Sequence, residues 1–311
     1  MKEFKKIIIA IVGFVVCFLV FDFGVGKFFD WAMTKMPSEG ERVAKSYYSL
    51  NKVKDDIIIV GSSRPEAGYN SKILMDSLLN FSVFNSGGDS QGFFYTNILV
   101  NSILDRYSPN AIIWDFRERE LGGKPEENLS LVYPYYWKNE YIRKELDFME
   151  GPFFKYRMLL NAYRYNATAG RILRSMIKHD SESGSTYGFV GRPATQATKT
   201  IIPRDFEIKD SQLDSVKVKK FITTANRMKE CGCKLIIVVS PMYNYYNEDN
   251  FYTKENRRIC DDLGVLYIDD SHMEGFIHNN EYTFDEYHLN IAGANEFTRR
   301  LVGQIREYLT E

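Results

Sequence analysis

Five short, nearly uninterrupted apolar runs recur along the chain, at 57–60, 81–84, 111–114, 235–239 and 265–268. A strand with one wet face alternates apolar and polar residues, whereas a strand covered on both faces reads as a continuous apolar run. Between these runs lie segments with helical periodicity at 71–79, 93–106, 214–230, 255–263 and 291–309. Buried strands alternating with helices imply right-handed crossovers and a parallel sheet sandwiched between helical layers. The expected fold is therefore α/β, a doubly wound five-stranded parallel sheet whose ligands bind at the carboxyl ends of the strands.

The alternation stops for about a hundred residues after the third run, too long for a bare loop, so an insertion is expected at about 117–210. Within it, 133–149 and 153–176 read as helical and aromatic-rich, while the Ser/Gly/Thr-rich stretch 180–199 is expected to be mobile. Tyr135, Tyr136 and Trp137 follow Pro134 there. They either stack on sugar rings or form the core of the insertion itself.

At the N-terminus Lys2, Lys5 and Lys6 precede 7–26, a segment whose only charge is Asp22. As a helix it measures about 30 Å, enough to cross a hydrocarbon core with Asp22 near the far headgroups. A cleaved signal peptide is the competing reading, because Gly24-Val25-Gly26 is a weak small-x-small site. The aromatic Phe28, Phe29 and Trp31 that follow suit an interfacial belt. The positive-inside rule then gives a cytoplasmic tail (1–6), an anchor (7–26), a stalk (27–54, helical at 41–52) and an extracytoplasmic domain (55–311).

Lys plus Arg number 40 against 41 acidic residues, and no basic block follows the first six positions, so no phosphate-tracking stripe exists and nucleic acid is excluded as a partner. With 44% hydrophobic and 26% charged residues, wholesale disorder and a multi-span membrane protein are excluded as well. The four cysteines (Cys17, Cys231, Cys233, Cys260) lack zinc-finger spacing. They read as half-buried thiols, or as a disulfide from Cys260 to Cys231 or Cys233 in an oxidising compartment.

Three segments carry chemistry. Gly61-Ser62-Ser63-Arg64-Pro65 follows the first strand, where the Ser63 hydroxyl would face the crevice; alternatively the two serines merely make the turn. Asn85-Ser86-Gly87-Gly88 follows the second strand, where a glycine lets backbone approach a ligand or simply turns the chain. Asp285-Glu286-Tyr287-His288-Leu289-Asn290 precedes the last helix. An Asp there can bind His Nδ1 and leave Nε2 as a base, or Asp285 or Asn290 caps the helix and His288 is an exposed loop residue.

In this order the three segments resemble the SGNH, or GDSL-type, hydrolases over 55–311, insertion excepted. The resemblance implies Ser63 as nucleophile, with Ser62 at the position of the Asp of the Gly-Asp-Ser motif. It also implies His288 as base, Asp285 as its orienter, and the N–H groups of Ser63 and Gly87 as oxyanion donors, with Asn85 and Arg64 near substrate. One block departs from the family. Where Gly-x-Asn-Asp would supply an Asn donor, the third strand runs into Asp115-Phe116-Arg117-Glu118-Arg119-Glu120. Loss of one such donor costs on the order of 3 kcal/mol of transition-state stabilisation. Arg117 or Arg119 is expected to replace it or to bind an anionic substrate, unless this stretch is a surface salt-bridge cluster.

The Gly-Ser-Ser block and the single anchor are also similar to D-alanyl transfer proteins and related envelope O-acyltransfer proteins. That similarity implies an acylated cell-envelope polymer as substrate and a multi-span membrane O-acyltransferase as partner. The expected function is a membrane-anchored serine esterase or O-acyltransferase that needs no cofactor or metal. The alternative is a catalytically silent subunit of a membrane acyltransferase system. A P-loop or dinucleotide site is excluded, because neither Gly-x-x-x-x-Gly-Lys-Ser/Thr nor Gly-x-Gly-x-x-Gly occurs at a helix start.

Overall fold

The computed structural model describes residues 2–38, 42–123, 127–177, 185–194, 201, 203, 207–208, 211–247 and 250–310. In chain order they form α1 (Lys2–Thr34), α2 (Arg42–Asn51), β1 (Ile57–Val60), α3 (Ser63–Gly68), α4 (Ser71–Ser77), β2 (Val83–Asn85), α5 (Phe93–Leu104) and β3 (Ala111–Asp115). A 3-10 segment (Ser130–Tyr135) then leads into α6 (Glu140–Glu150), α7 (Phe154–Arg157), α8 (Asn161–Tyr165) and α9 (Ala169–Ile177). The chain ends with β4 (Ser185–Thr186), β5 (Phe189–Val190), α10 (Ser215–Glu230), β6 (Lys234–Val239), α11 (Phe251–Leu263), β7 (Leu266–Asp269) and α12 (Ile291–Thr310). Contacts divide the chain into two compact units, one of Met1–Pro37 with Leu129–His179, the other of Ser38–Asn128 with Asp180–Glu311.

In the second unit each of the five apolar runs becomes a strand of one parallel sheet, in the order β2-β1-β3-β6-β7. All four residues of β1 are fully buried, as a central strand with both faces covered must be. Alternate side chains serve two cores. Ile57, Ile59, Ile113, Ile236 and Val238 join Tyr69, Phe297 and Leu301 beneath α12. On the other face Trp114 stacks on Phe93 (5.6 Å) and meets Phe116 (5.5 Å) and Phe221 (5.9 Å) edge-on, which ties β3 to α5 and α10. Chain order reverses between β1 and β3, which opens a crevice at their carboxyl ends.

Segment 42–51 is not a free stalk. Val43, Ala44 and Leu50 of α2 are buried, and Lys45 Nζ reaches Glu66 Oε1 (2.6 Å) and the Gly188 carbonyl (3.0 Å). Of the segment expected to be mobile, 185–194 includes the β4–β5 hairpin, and its Tyr187 carbonyl accepts the Asn85 N–H (2.9 Å); the remainder lies outside the described residues. Helix α11 starts four residues earlier than its periodicity indicates, because the Asn250 side chain accepts the Thr253 N–H and caps it. All four cysteines are free, so the disulfide alternative is corrected, and burial pushes the Cys233 and Cys260 thiols up to about 12.

In the first unit α1 is continuous from Lys2 to Thr34, through the expected boundary at Lys27. Side chains over most of 7–23 are exposed and apolar, but from Asp22 onward the helix packs against the insertion. The Asp22 carboxylate accepts the N–H groups of Asn161 and Ala162 (both 2.8 Å) and the Asn161 side-chain amide (2.9 Å). One turn on, a Cβ at Gly26 would lie 2.1 Å from Asn161 Oδ1, so only glycine permits this approach. Phe29 stacks on Tyr165 (5.1 Å), and Asp30 accepts from Tyr165 Oη and Lys138 Nζ. The two helices expected at 133–149 and 153–176 are a 3-10 segment containing Pro134 followed by α6, and the three short helices α7, α8 and α9; Gly151 and Pro152 separate the two groups. Tyr135 and Tyr136 are buried, so of the three clustered aromatics only Trp137 is exposed, and stacking of the two tyrosines on sugar is corrected to a packing role.

Phe221 closes the α5–β3–α10 core. Phe221→Ala is expected to lower the unfolding free energy by about 3–5 kcal/mol, whereas exposed Lys229→Ala shifts it by about 0.5 kcal/mol at most. Urea titration of the two variants in detergent checks the contrast.

Candidate active site

The crevice at the carboxyl ends of β1 and β3 is a cleft of about 790 Å³, and Ser63, Arg64, Arg117, Arg119 and His288 all line it. Its floor begins with a backbone constraint. Gly61 leaves β1 at φ +135°, and a Cβ there would lie 2.9 Å from the Asp115 carbonyl, so only glycine turns the chain this close to β3. Ser62 Oγ then accepts the Arg64 N–H (3.4 Å) as the N-cap of α3. Ser63 thereby becomes the first residue of α3, where its own N–H has no intrahelical acceptor.

Across 225 residues of chain, His288 Nε2 lies 2.7 Å from Ser63 Oγ. Its Nδ1 lies 2.8 and 2.9 Å from the two Asp285 oxygens. A carboxylate can only accept, so the imidazole carries its proton on Nδ1 and presents the Nε2 lone pair to the Ser63 hydroxyl. Burial raises the Asp285 carboxyl, but the His288 hydrogen bond and the N–H groups of Tyr287 (2.8 Å) and His288 (2.9 Å) outweigh it and hold it below the ordinary value. The helix-capping role falls to Asn290, whose Oδ1 accepts the Gly293 N–H (2.9 Å). Asp285 is left to orient the imidazole.

Two expected contacts are corrected. The Asn85 side chain is buried and fastens α3 to β2, with Nδ2 donating to the Pro65 (2.7 Å) and Tyr69 (3.0 Å) carbonyls. Its Oδ1 accepts the Gly87 N–H at 3.0 Å, so that donor is engaged within its own turn, and neither residue lines the cleft. The N–H groups of Ser86, Gly88 and Gln91 are likewise engaged, by the carbonyls of Ile59, Gly61 and Gly88. On this wall of the cleft the N–H groups of Asp89 and Ser90 remain, with Ser90 at φ +58°.

Arg64 is buried and engaged in structure, not free for substrate. Nη1 faces Glu118 (3.4 Å), Nε faces Asp115 (3.8 Å), and Nη2 donates to the Ser240 carbonyl and to Ser240 Oγ (3.2 Å). Burial disfavours its charge, but Glu118 and Asp115 outweigh this and hold the guanidinium above its ordinary value. Burial pushes the Asp115 and Glu118 carboxyls up, against the pull of Arg64. The stretch after β3 is thus no surface salt-bridge cluster: Asp115, Glu118 and Glu120 are buried, and Arg117, bonded to Glu120 (2.8 Å), and Arg119 line the cleft.

Sequence reasoning missed three contributors. Ser240 stands directly after β6, and the same strand-end rule that found Ser63 would have found it. Glu127 lies on the cleft wall and accepts N–H groups of Gly92 (2.6 Å), Phe94 (2.8 Å) and Tyr95 (3.2 Å), capping α5 from a distance. Lys217 reaches the cleft from α10 and bonds the Gly122 carbonyl (2.7 Å). Nothing in the local sequence marks either of these two. Among the described residues no cluster of His, Cys, Asp and Glu has metal-binding geometry.

No family model matches the chain, and no curated protein matches it. Among solved structures it is similar to a psychrotrophic esterase, EstA, from Pseudoalteromonas sp. (9% identity over 83% of this chain and 100% of that one, TM-score 0.41). It is also similar to a Bacteroides fragilis protein described as an acylhydrolase (10%, 85% and 95%, 0.42). A third similar structure is a Streptococcus pneumonia protein described as a platelet activating factor (11%, 92% and 98%, 0.41). At these identities and TM-scores no activity transfers from them, and function must be read from the site.

Removing Arg64 would strand two buried carboxyls. Arg64→Leu is expected to cost about 3–5 kcal/mol at neutral pH. A carboxyl whose folded pKa lies above its unfolded value contributes stability below the unfolded pKa and loses it as pH rises through the folded one. The deficit should therefore shrink as pH falls toward about 5. Denaturant titrations of parent and variant at both pH values check the sign.

Proposed function

We propose that this chain is a membrane-anchored serine acyl-transfer enzyme of the SGNH type, acting on an acylated polymer outside the cytoplasm. The observation that carries the reading is the hydrogen-bonded row from Ser63 Oγ through His288 to Asp285 on the wall of an open cleft. His288 Nε2 takes the Ser63 proton as Oγ bonds to the acyl carbon. The carbonyl electron pair moves onto oxygen, for which the Ser63 N–H at the start of α3 is the donor nearest in sequence to the nucleophile. Collapse breaks the ester C–O bond, and the imidazolium returns its proton to the departing alkoxide. A second hydroxyl, from water or from a sugar, then attacks the acyl-Ser63 ester by the same proton route. Water makes the chain an esterase and sugar makes it an O-acyltransferase.

A cleft wall bearing Arg117, Arg119 and Lys217 suits a hydroxylated or anionic polymer better than a long alkyl chain. Anchoring draws on α1, whose apolar window has mean hydropathy 2.8, and on the three lysines before it. Cleavage after Gly26 would remove the Asp22 carboxylate from the N–H groups of α8, which favours a retained anchor over a signal peptide. One observation favours a second reading, a silent assembly subunit: Gly87 is engaged and Phe116-Arg117, not an Asn, stands directly after β3, so the two family donors besides Ser63 are not in their expected places.

Full-length protein in detergent is expected to react with a fluorophosphonate probe and to hydrolyse p-nitrophenyl acetate. Ser63→Ala and His288→Ala should lose both activities, and Ser62→Ala should keep them. Asp285→Asn should slow labelling by on the order of 10²–10⁴-fold. A folded parent that neither labels nor hydrolyses would replace this reading with the silent subunit.

A further inference from the structure

The first unit carries an apolar surface that its own packing leaves open. Phe153, Tyr156 and Leu159, three positions apart around α7, are 73%, 58% and 62% exposed, although a short helix of a soluble protein would normally turn such residues inward. The Phe153 and Tyr156 rings lie 6.4 Å apart, so they form one patch. Two cations alternate with them. Lys155 Nζ sits 5.1 Å from the centre of the Tyr156 ring, and Arg157 follows in the same turn.

One end of this patch is tied to a level on α1. Asn161 and Ala162 bind Asp22, and Asp22 lies four residues, or about 6 Å of helix, before the end of the 7–26 span. Leu159 is two residues from Asn161, so its Cα is within about 8 Å of that level. The Leu159 end of the patch thus lies where a membrane-spanning α1 leaves the hydrocarbon for the headgroups. A band of aromatic and aliphatic side chains interleaved with Lys and Arg is the chemistry of that layer: rings and methylenes enter the acyl boundary while cations meet lipid phosphate.

We propose that residues 153–159 form an interfacial membrane contact, with Phe153, Tyr156 and Leu159 inserted among the outermost acyl carbons and Lys155 and Arg157 on anionic headgroups. The insertion is then a second membrane attachment, which holds α1 at a fixed angle and depth. This inference rests on the reading of α1 as a retained span.

The test uses full-length protein carrying Cys17→Ser and Cys231→Ser, reconstituted in phosphatidylcholine vesicles with and without phosphatidylglycerol. A nitroxide is attached in turn through Phe153→Cys, Tyr156→Cys, Leu159→Cys, Val15→Cys as the span control and Lys229→Cys as the aqueous control. At 153, 156 and 159 the ratio of oxygen to nickel-complex accessibility should exceed that at 229 several-fold and approach that at 15, rising further with phosphatidylglycerol. A ratio at 153–159 equal to that at 229 overturns the proposal. Spins shielded from both reagents overturn it in favour of a protein partner or a second copy. An aqueous value at position 15 removes the span itself, and is thereby told apart from failure of the interfacial contact alone.

Discussion

Three central strands of the sheet end at one buried guanidinium. Arg64, one residue past Ser63, meets Asp115 at the end of β3, Glu118 just beyond it, and Ser240 after β6. A guanidinium keeps its proton even when buried, so without partners it would destabilise its surroundings, and the ends of β1, β3 and β6 must stay in register to compensate its charge. Tyr69 extends the cluster to the end of α3 by donating to Asp115 Oδ2 at 2.6 Å. The short helix that presents Ser63 is therefore held at its first turn by Arg64 and at its end by Tyr69. The network stands beside the hydroxyl and fixes the serine, and two of its members, Arg64 and Glu118, also form part of the cleft wall.

This explains which parts of the site could be read from the sequence. Ser63, His288 and Asp285 stand next to features of period or punctuation: the end of an apolar run, a Gly-Ser turn, and the loop before a capped helix. Strand-end logic brings such positions to one edge of the sheet whatever the side chains are. The parallel, doubly wound class of the sheet is legible for the same reason, since uninterrupted apolar runs alternating with helices admit few other arrangements. Glu127 and Lys217 have no such marker. Glu127 caps a helix that begins 34 positions earlier at Phe93, and Lys217 comes from the face of α10, so only the packed fold brings them to the cleft.

Gly87 illustrates a different limit. A glycine after β2 permits the backbone to approach a ligand or simply turns the chain, and here the neighbouring Asn85 supplies the acceptor and closes an Asx turn on it. Whether a backbone N–H faces solvent or its own loop depends on one side-chain torsion, and sequence does not encode that torsion locally. The same residue pair ties β2 to α3 through Pro65 and Tyr69. Function and rigidity thus compete for one donor, and here rigidity holds it.

Asp22 carries the corresponding lesson for the other unit. In a linear reading it is a defect in an apolar span, acceptable only near headgroups. In the folded chain it is the acceptor for two backbone N–H groups of α8, and the residues that follow it on the same side of α1, Gly26, Phe29 and Asp30, all meet the 129–179 segment. A carboxylate buried at an apolar boundary is stable only with donors in place, and the first turn of α8 supplies them. Helix α1 and the insertion therefore depend on each other. A chain cut at Lys27 would lack the carboxylate that accepts the α8 N–H groups, so α1 belongs to the unit in which the insertion is packed.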